Sequence, residues 1–141
     1  MITITDFILR LGVALLAGLC IGLERQWHHK ESGLHTNMLV ATGSAIFVLL
    51  SIKYITISET VDVTRIIAQV VTGVGFLGAG VIFREGTSVH GLTSAATIWC
   101  SAAIGCVAAS GYFLETIICT LFIIIINSFI QPLDKWLKNR K

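Results

Sequence analysis

The chain has 141 residues, of which 55% are hydrophobic and only 13% are charged, and its mean hydropathy is +0.85. These values exclude an ordinary soluble domain and a disordered chain, and the net charge of +2 gives no electrostatic case for nucleic-acid binding. The sequence therefore predicts an integral membrane protein surrounded by the lipid bilayer.

Five apolar stretches are long enough to cross a bilayer. At a rise of about 1.5 Å per residue, their 17 to 22 residues cover roughly 26 to 33 Å as helices. They show no alternation of polar and apolar residues, which favours helices over the strands of a barrel. The predicted fold is a single all-α transmembrane domain over 1–141, with spans at 7–23, 34–55, 66–83, 92–109 and 112–130.

The last two spans carry turn signals. Only Ser110 and Gly111 separate them, which predicts a tight antiparallel hairpin in which glycine takes a positive φ. The fourth span is rich in small and hydroxyl residues, so a half-inserted or broken helix is its alternative. Pro132 is predicted to end the last helix, leaving a basic cytoplasmic tail over 131–141.

The distribution of basic residues predicts the orientation. If the C-terminus is cytoplasmic, that side receives seven Lys and Arg residues and the other side three, while the acidic residues divide four and four. We therefore expect the N-terminus outside and the C-terminus inside.

Two pairs of segments suggest an internal repeat. Residues 33–46 resemble 91–104 at an offset of 58, and residues 18–25 resemble 78–85 at an offset of 60. Helices one and two would then correspond to helices three and four, as a parallel repeat about the membrane normal. Chance similarity of short segments is the alternative.

Four glycines fall within the third span, in the sequence GVGFLGAG. At about 100° per residue, Gly73 and Gly80 share one face of a helix, and Gly75 and Gly78 lie on the other. Close backbone contact through small residues stabilises helix bundles in lipid. We therefore expect the third helix to be central and packed on two sides. A hinge or a close-approach site for an ion is the alternative.

Charge pairs follow the first and third spans, Glu24 with Arg25 and Arg84 with Glu85. One hypothesis is cross-pairing, Glu24 with Arg84 and Arg25 with Glu85, in a cytoplasmic charge cluster that could receive a partner. Solvated boundary pairs are the alternative.

Polar residues also mark the predicted outer boundary. Arg10 lies one helical turn after Asp6, which suits an ion pair, and Asp62 is placed to cap the third helix.

The sequence contains no catalytic constellation, so we expect a protein that is not an enzyme and has no cofactor. The nucleophile elbow, the zinc-protease motif and the nucleotide-binding glycine patterns are all missing. Four histidines lie in the two cytoplasmic loops without a metal-binding spacing, and no metal site is expected. The cysteines fall inside apolar segments and are interpreted as reduced small hydrophobes: Cys20, Cys100, Cys106 and Cys119.

Several motifs together resemble the MgtC/SapB family of bacterial inner-membrane proteins. They are IGLERQ at 21–26, GLHTNMLVATGSAIF at 33–47, RIIAQVVTGVGFLGAGVIFREG at 65–86 and GLTSAATIWCSAAIG at 91–105. The resemblance covers most of the chain but not the soluble C-terminal domain that follows the membrane part in longer members. It draws attention to polar positions within the motifs: Gln26, Thr36, Asn37, Arg65, Gln69, Thr93, Thr97, Trp99 and Cys100.

The resemblance implies a multi-pass protein of the bacterial inner membrane with a role in virulence, survival inside host cells and growth at low magnesium. It implies regulation of other membrane proteins, such as the ATP synthase or a magnesium-transporting P-type ATPase. A transporter or channel for Mg²⁺ or another cation is the alternative, but the spans contain few of the ionisable residues that mark ion paths. Small-residue helix faces further predict a homodimer.

Overall fold

The computed structural model describes residues 2–55 and 62–138, with the backbone alone from 130 onward. The helices are α1 (Ile4–Trp27), α2 (Leu34–Ile55), α3 (Val63–Gly80), α4 (Leu92–Ala109) and α5 (Phe113–Lys138). A two-stranded antiparallel hairpin, β1 (Phe83–Glu85) and β2 (Ser88–His90), connects α3 to α4. Four helices, α1 to α4, are long and apolar enough to cross a membrane. Five predicted helices are thus present, and four of them have the length and hydropathy of the predicted membrane spans.

The caps and turns at the predicted outer end follow from local sequence. Asp62 caps α3, because its Oδ1 accepts a 2.9 Å hydrogen bond from the Thr64 amide, as predicted. Arg10 forms the expected ion pair with Asp6, at 2.9 Å, and its Nη1 also donates to the Ala109 carbonyl at 2.9 Å. Gly111 has a φ of +87°, which confirms the tight turn between α4 and α5.

The centre of the bundle is α4. This unbroken helix packs against each of the other four helices, and 56% of its residues are buried, against 11% of those of α3. The prediction that the third helix is central is therefore wrong: α3 lies at the edge, against α4 and part of α2. The reason is that the small and hydroxyl residues of α4 let its neighbours approach closely on several sides.

Glycine packing exists in the bundle, but on other helices. A Cβ added at Gly18 would lie 2.8 Å from the Asn37 carbonyl oxygen, and one added at Gly105 would collide with the Ala41 carbonyl. These glycines bring α1 and α4 against the backbone of α2.

The predicted packing role of the α3 glycines within one chain is mostly wrong. Gly73, Gly75 and Gly80 have open space where a Cβ would be, and Gly78 alone faces another helix, with Ala95 at 3.6 Å. A glycine pattern predicts that another helix can pack closely against this one, but it does not predict which helix does so.

Two predicted boundaries also need correction. The third helix ends at Gly80 rather than residue 83, and Gly86, at φ +60°, forms the turn of a hairpin that sequence reasoning treated as a loop. The last helix does not end at Pro132 but continues to Lys138. A proline removes one backbone hydrogen bond, and the remaining bonds can carry a helix past it. Residues 139–141 of the predicted tail lie outside the described residues.

Candidate functional site

A buried polar cluster lies where α1 ends and α2 and α4 begin, centred on Ser94. The hydroxyl of Ser94 donates a 2.7 Å hydrogen bond to Oε2 of Glu31 and lies 3.4 Å from Nη2 of Arg25, which donates to it. The Arg25 side chain is fully buried, although it lies in the last turn of α1. Ser94 therefore joins a buried guanidinium to a carboxylate of the α1–α2 loop.

Asn37 forms the second junction of this cluster. Its Nδ2 donates to the carbonyls of Ser32 and Gly33, at 3.2 and 2.8 Å, and its Oδ1 accepts a 2.8 Å bond from the Ser101 hydroxyl. Asn37 and Ser101 are both completely buried. Since Ser101 lies nine residues into α4, about 14 Å along the helix axis, this hydrogen bond is made deep in the bundle.

A third junction links α4 to α5. The Thr97 hydroxyl donates to the Thr93 carbonyl at 2.9 Å and lies 3.4 Å from Oδ1 of Asn127, while the buried Nδ2 of Asn127 makes no hydrogen bond within the described part of the chain. With the Asn127 amide turned over, Nδ2 would donate to the Thr97 oxygen, and Oδ1 would take the buried position of Nδ2.

Unpaired buried charge distinguishes the α1 end of the cluster. Nε and Nη1 of Arg25 and both carboxylate oxygens of Glu24 make no hydrogen bond to the described part of the chain. Nδ1 of His28 lies 3.0 Å from Glu24 Oε1, but it is also 2.9 Å from the Glu24 carbonyl, which is its better hydrogen-bond partner. Adjacent residues on a helix point about 100° apart, so Glu24 and Arg25 attract each other without forming a direct pair.

The electrostatics of the loop favour an ionised carboxylate. The hydrogen bond from Ser94, followed by one from the backbone of Glu31 itself, holds the pKa of the Glu31 carboxyl below its ordinary value. Glu31 is exposed to solvent on its other side. Ser94 thereby binds the charged form of Glu31 and fixes the loop onto α4.

The predicted cross-pairing of the boundary charges is wrong. Across residues 2–55 and 62–129, Arg10 forms an ion pair with Asp6, the His28 ring lies 3.0 Å from Glu24, and neither Arg84 nor Glu85 contacts the α1 charges. Nε of Arg84 donates to the Gly86 carbonyl at 2.9 Å within the exposed hairpin. The hairpin holds the second pair of charges outside the bundle, where they remain predicted partner contacts.

The motif positions divide between the cluster and the surface. Asn37 and Thr97 belong to the cluster, and Oε1 of Gln26 accepts a 3.3 Å bond from the Leu34 amide at the start of α2. Thr36 and Cys100 are half-buried. The remaining positions are exposed: Arg65, Gln69, Thr93 and Trp99.

Sequence reasoning missed the residues that organise the cluster, Ser94 and Ser101, and their partners Glu31 and Ser32. A usable signal was present, because Ser94, Thr97 and Ser101 are spaced three and four residues apart and so share one helical face. Polar groups on one face of an apolar span predict a polar contact between helices.

The described ranges gather no group of three or more His, Cys, Asp or Glu side chains that could hold a metal ion. Most polar groups of the cluster are hydroxyls, amides and one guanidinium, with the carboxylates of Glu24 and Glu31 at its α1 end, which suits hydrogen bonding between segments.

Comparison with known proteins agrees with this architecture. The MgtC family profile matches residues 11–136. This chain belongs to the MgtC family. It is 49% identical to Protein MgtC of Brucella abortus over 122 residues, which are 86% of this chain and 50% of that protein. It is 48% identical to Protein MgtC of Salmonella typhimurium over 125 residues, 89% of this chain and 52% of that protein.

A third relative is an uncharacterized protein of Synechocystis, 42% identical over 135 residues, which are 96% of this chain and 56% of that protein. The chain spans about half the length of the curated relatives it matches. No solved structure matches it.

Proposed function

We propose that this chain is an MgtC-like, non-enzymatic regulator that supports growth at low magnesium and survival inside host cells, and that it acts by contact with other membrane proteins. The observation that carries the proposal is the family match over residues 11–136, which covers α2, α3 and α4 completely and most of α1 and α5. The resemblance points to the ATP synthase or a P-type magnesium ATPase as the class of partner.

The chemistry of the bundle interior supports a regulator over a Mg²⁺ path. Mg²⁺ binds carboxylates and keeps several waters in octahedral geometry. The deep polar groups of this chain are hydroxyls and amides that hydrogen-bond helices to one another, as Ser101 does with Asn37. The buried carboxylate of Glu24 lies beside the cationic Arg25, which disfavours a second cation there.

The polar cluster has a clear role in this proposal. It fixes the α1–α2 loop to the start of α4, directly next to the exposed β1–β2 hairpin with Arg84 and Glu85. A rigid base beneath an exposed charged hairpin is suited to present that hairpin to a partner.

We further propose that the N-terminus lies outside and the C-terminus inside the bacterial inner membrane, with α1–α2 and α3–α4 as a parallel repeat. This orientation places the polar cluster and the hairpin on the cytoplasmic side. The excess of Lys and Arg on that side, seven against three with the residues of 131–141 included, supports it.

Growth of a bacterium whose own family member has been deleted tests the function. Expression of this chain should restore growth at low magnesium, and partner proteins should co-purify with it from those membranes. Restored growth accompanied by saturable Mg²⁺ flux into liposomes that hold the pure chain would support the transporter alternative instead. No restoration by a stably inserted chain would overturn the proposal.

A further inference from the structure

An open groove runs between α2 and α3 on the outer face of the bundle. Its volume is about 500 Å³, and its walls are mainly apolar. The α2 wall includes Gly43, Ser44 and Phe47, and the α3 wall includes Gln69, Gly73 and Leu77. Gly43 and Gly73 both have open space where a side chain would begin, so each wall has a recess at mid-helix.

Two polar groups that make no hydrogen bond within the described residues line this groove. The Ser44 side chain is 6% exposed, and the Gln69 side chain is exposed on α3. Neither makes a hydrogen bond to any residue in 2–55 or 62–129. Gln69 lies six residues into α3, about 9 Å along its axis, at a depth where lipid offers the amide no donor or acceptor.

The outer face of α3 is therefore poorly suited to lipid. The helix is mostly unburied, it carries an amide and glycines toward the membrane, and Phe76 is 83% exposed beside them. Transmembrane helices associate through small residues that permit close approach and through side-chain amides that hydrogen-bond across the contact.

We propose that this groove receives α3 of a second copy of the same chain, in a two-fold symmetric dimer. A carboxamide is both donor and acceptor, so Gln69 is complementary to Gln69 of the second copy across a two-fold axis. The same insertion brings the Gln69 amide of the second copy to the buried Ser44 hydroxyl. The recess at Gly73 gives the incoming helix room to approach the backbone.

The charges at the start of α3 agree with this symmetric arrangement. Asp62 and Arg65 lie one turn apart and are both exposed. In a parallel pair of α3 helices, Asp62 of one copy lies near Arg65 of the other, so the two copies are complementary in charge. This inference concerns assembly and does not rest on the proposed regulatory role.

Energy transfer between two fluorescently tagged populations of the full chain in liposomes, followed over a range of protein-to-lipid ratios, tests the dimer. Gly73→Leu should abolish most of the transfer, because the new side chain fills the groove. Gly75→Leu is the matched control, since this glycine is equally open but lies about 200° away around α3, and it should leave transfer unchanged. Gln69→Leu should weaken association about three- to tenfold.

Thermal unfolding of each variant in detergent shows whether the monomer fold is kept, and we expect both glycine variants to keep it. Energy transfer absent at every ratio would overturn the proposal. An equal loss from Gly73→Leu and Gly75→Leu, or no loss from either, would also overturn it. Capture of a different membrane protein by the groove while the pure chain stays monomeric would assign the groove to that protein instead.

Discussion

The hydroxyl of Ser101 donates a 2.8 Å hydrogen bond to Oδ1 of Asn37, and both residues are completely buried between α2 and α4. Asn37 uses its other amide atom to hold the Ser32 and Gly33 carbonyls. One side chain therefore connects a loop, the first turn of α2 and the middle of α4.

Ser101→Ala should lower the free energy of unfolding by about 1–3 kcal/mol, because Oδ1 of Asn37 would remain buried without a donor. Asn37→Ala should cost more, since it removes the side-chain partner of the Ser32 carbonyl and of the Ser101 hydroxyl, while the Gly33 carbonyl keeps its bond from the residue 37 amide. Denaturant unfolding in detergent micelles measures both changes. The double variant should show a coupling energy of about 0.5–3 kcal/mol, and strict additivity would contradict the interaction. Thr72→Ala is the control, because its exposed hydroxyl bonds only the Ala68 carbonyl of its own helix.

Arg25→Met should destabilise the bundle by about 3–5 kcal/mol, because the buried Glu24 carboxylate would lose the neighbouring positive charge. Adding Glu24→Gln should recover part of that loss. The matched control is Arg84→Met on the exposed hairpin, with an expected change within about 0.5 kcal/mol. If Arg25→Met and Arg84→Met changed the free energy of unfolding equally, the buried position of Arg25 would not explain its effect.

Local features could be predicted from the sequence where they depend on residues of a single segment. The cap by Asp62, the ion pair of Arg10 with Asp6 and the turn at Gly111 each depend on residues within a few positions. Apolar length likewise predicted five helices, because a bilayer sets the number of residues that a span needs.

The arrangement of the helices could not be predicted in the same way. The glycines of α3 and those of α1 and α4 look alike in sequence, yet only Gly18, Gly22 and Gly105 meet the backbone of a neighbour closely. The Ser94–Glu31 bond joins residues 63 positions apart. Such contacts depend on which helices become neighbours, and local pattern does not contain that information.

Gly105→Ala should destabilise the chain by about 1–3 kcal/mol, because the added methyl group would collide with the Ala41 carbonyl and push α4 from α2. Gly12→Ala is the matched control on α1, with nothing within 4 Å of its new Cβ. It should be neutral or slightly stabilising, since alanine favours a helix. Thermal unfolding of the two variants measures the difference, and equal midpoints would argue against close α2–α4 packing.

His29→Gly should stabilise the chain by about 1 kcal/mol. His29 follows the end of α1 with a φ of +51°, a left-handed conformation that strains a residue with a Cβ but not glycine. Lys30→Gly, where the backbone φ is not positive, should give no such gain. The comparison uses the same unfolding measurement, and a loss of stability in His29→Gly would show that the histidine ring contributes more than its backbone costs.

Stability should fall with acidification in a way that depends on Ser94. The folded-state pKa of Glu31 is lowered, so the stabilisation is fully present above its ordinary value of 4.5 and is lost as pH falls through the folded-state pKa. Asp62 titrates in the same direction, because the Thr64 hydrogen bonds lower its pKa. Unfolding curves between about pH 7 and 3 should therefore be compared with those of Glu31→Gln and Ser94→Ala. Both variants should show a shallower acid dependence than the wild-type chain, and identical curves would contradict the Ser94–Glu31 bond.

We propose that the polar cluster around Ser94 and Asn37 serves regulation as well as folding. The most direct test compares growth at low magnesium, in the deletion strain, of cells that express Ser94→Ala or Gly105→Ala at matched membrane levels. Gly105→Ala disturbs α2–α4 packing at Ala41, outside the cluster, and serves as a control for lost stability. We predict that Ser94→Ala reduces growth well beyond the loss that its stability accounts for on the scale set by Gly105→Ala. Growth that follows stability alone in both variants would contradict the claim and leave the cluster a purely structural role.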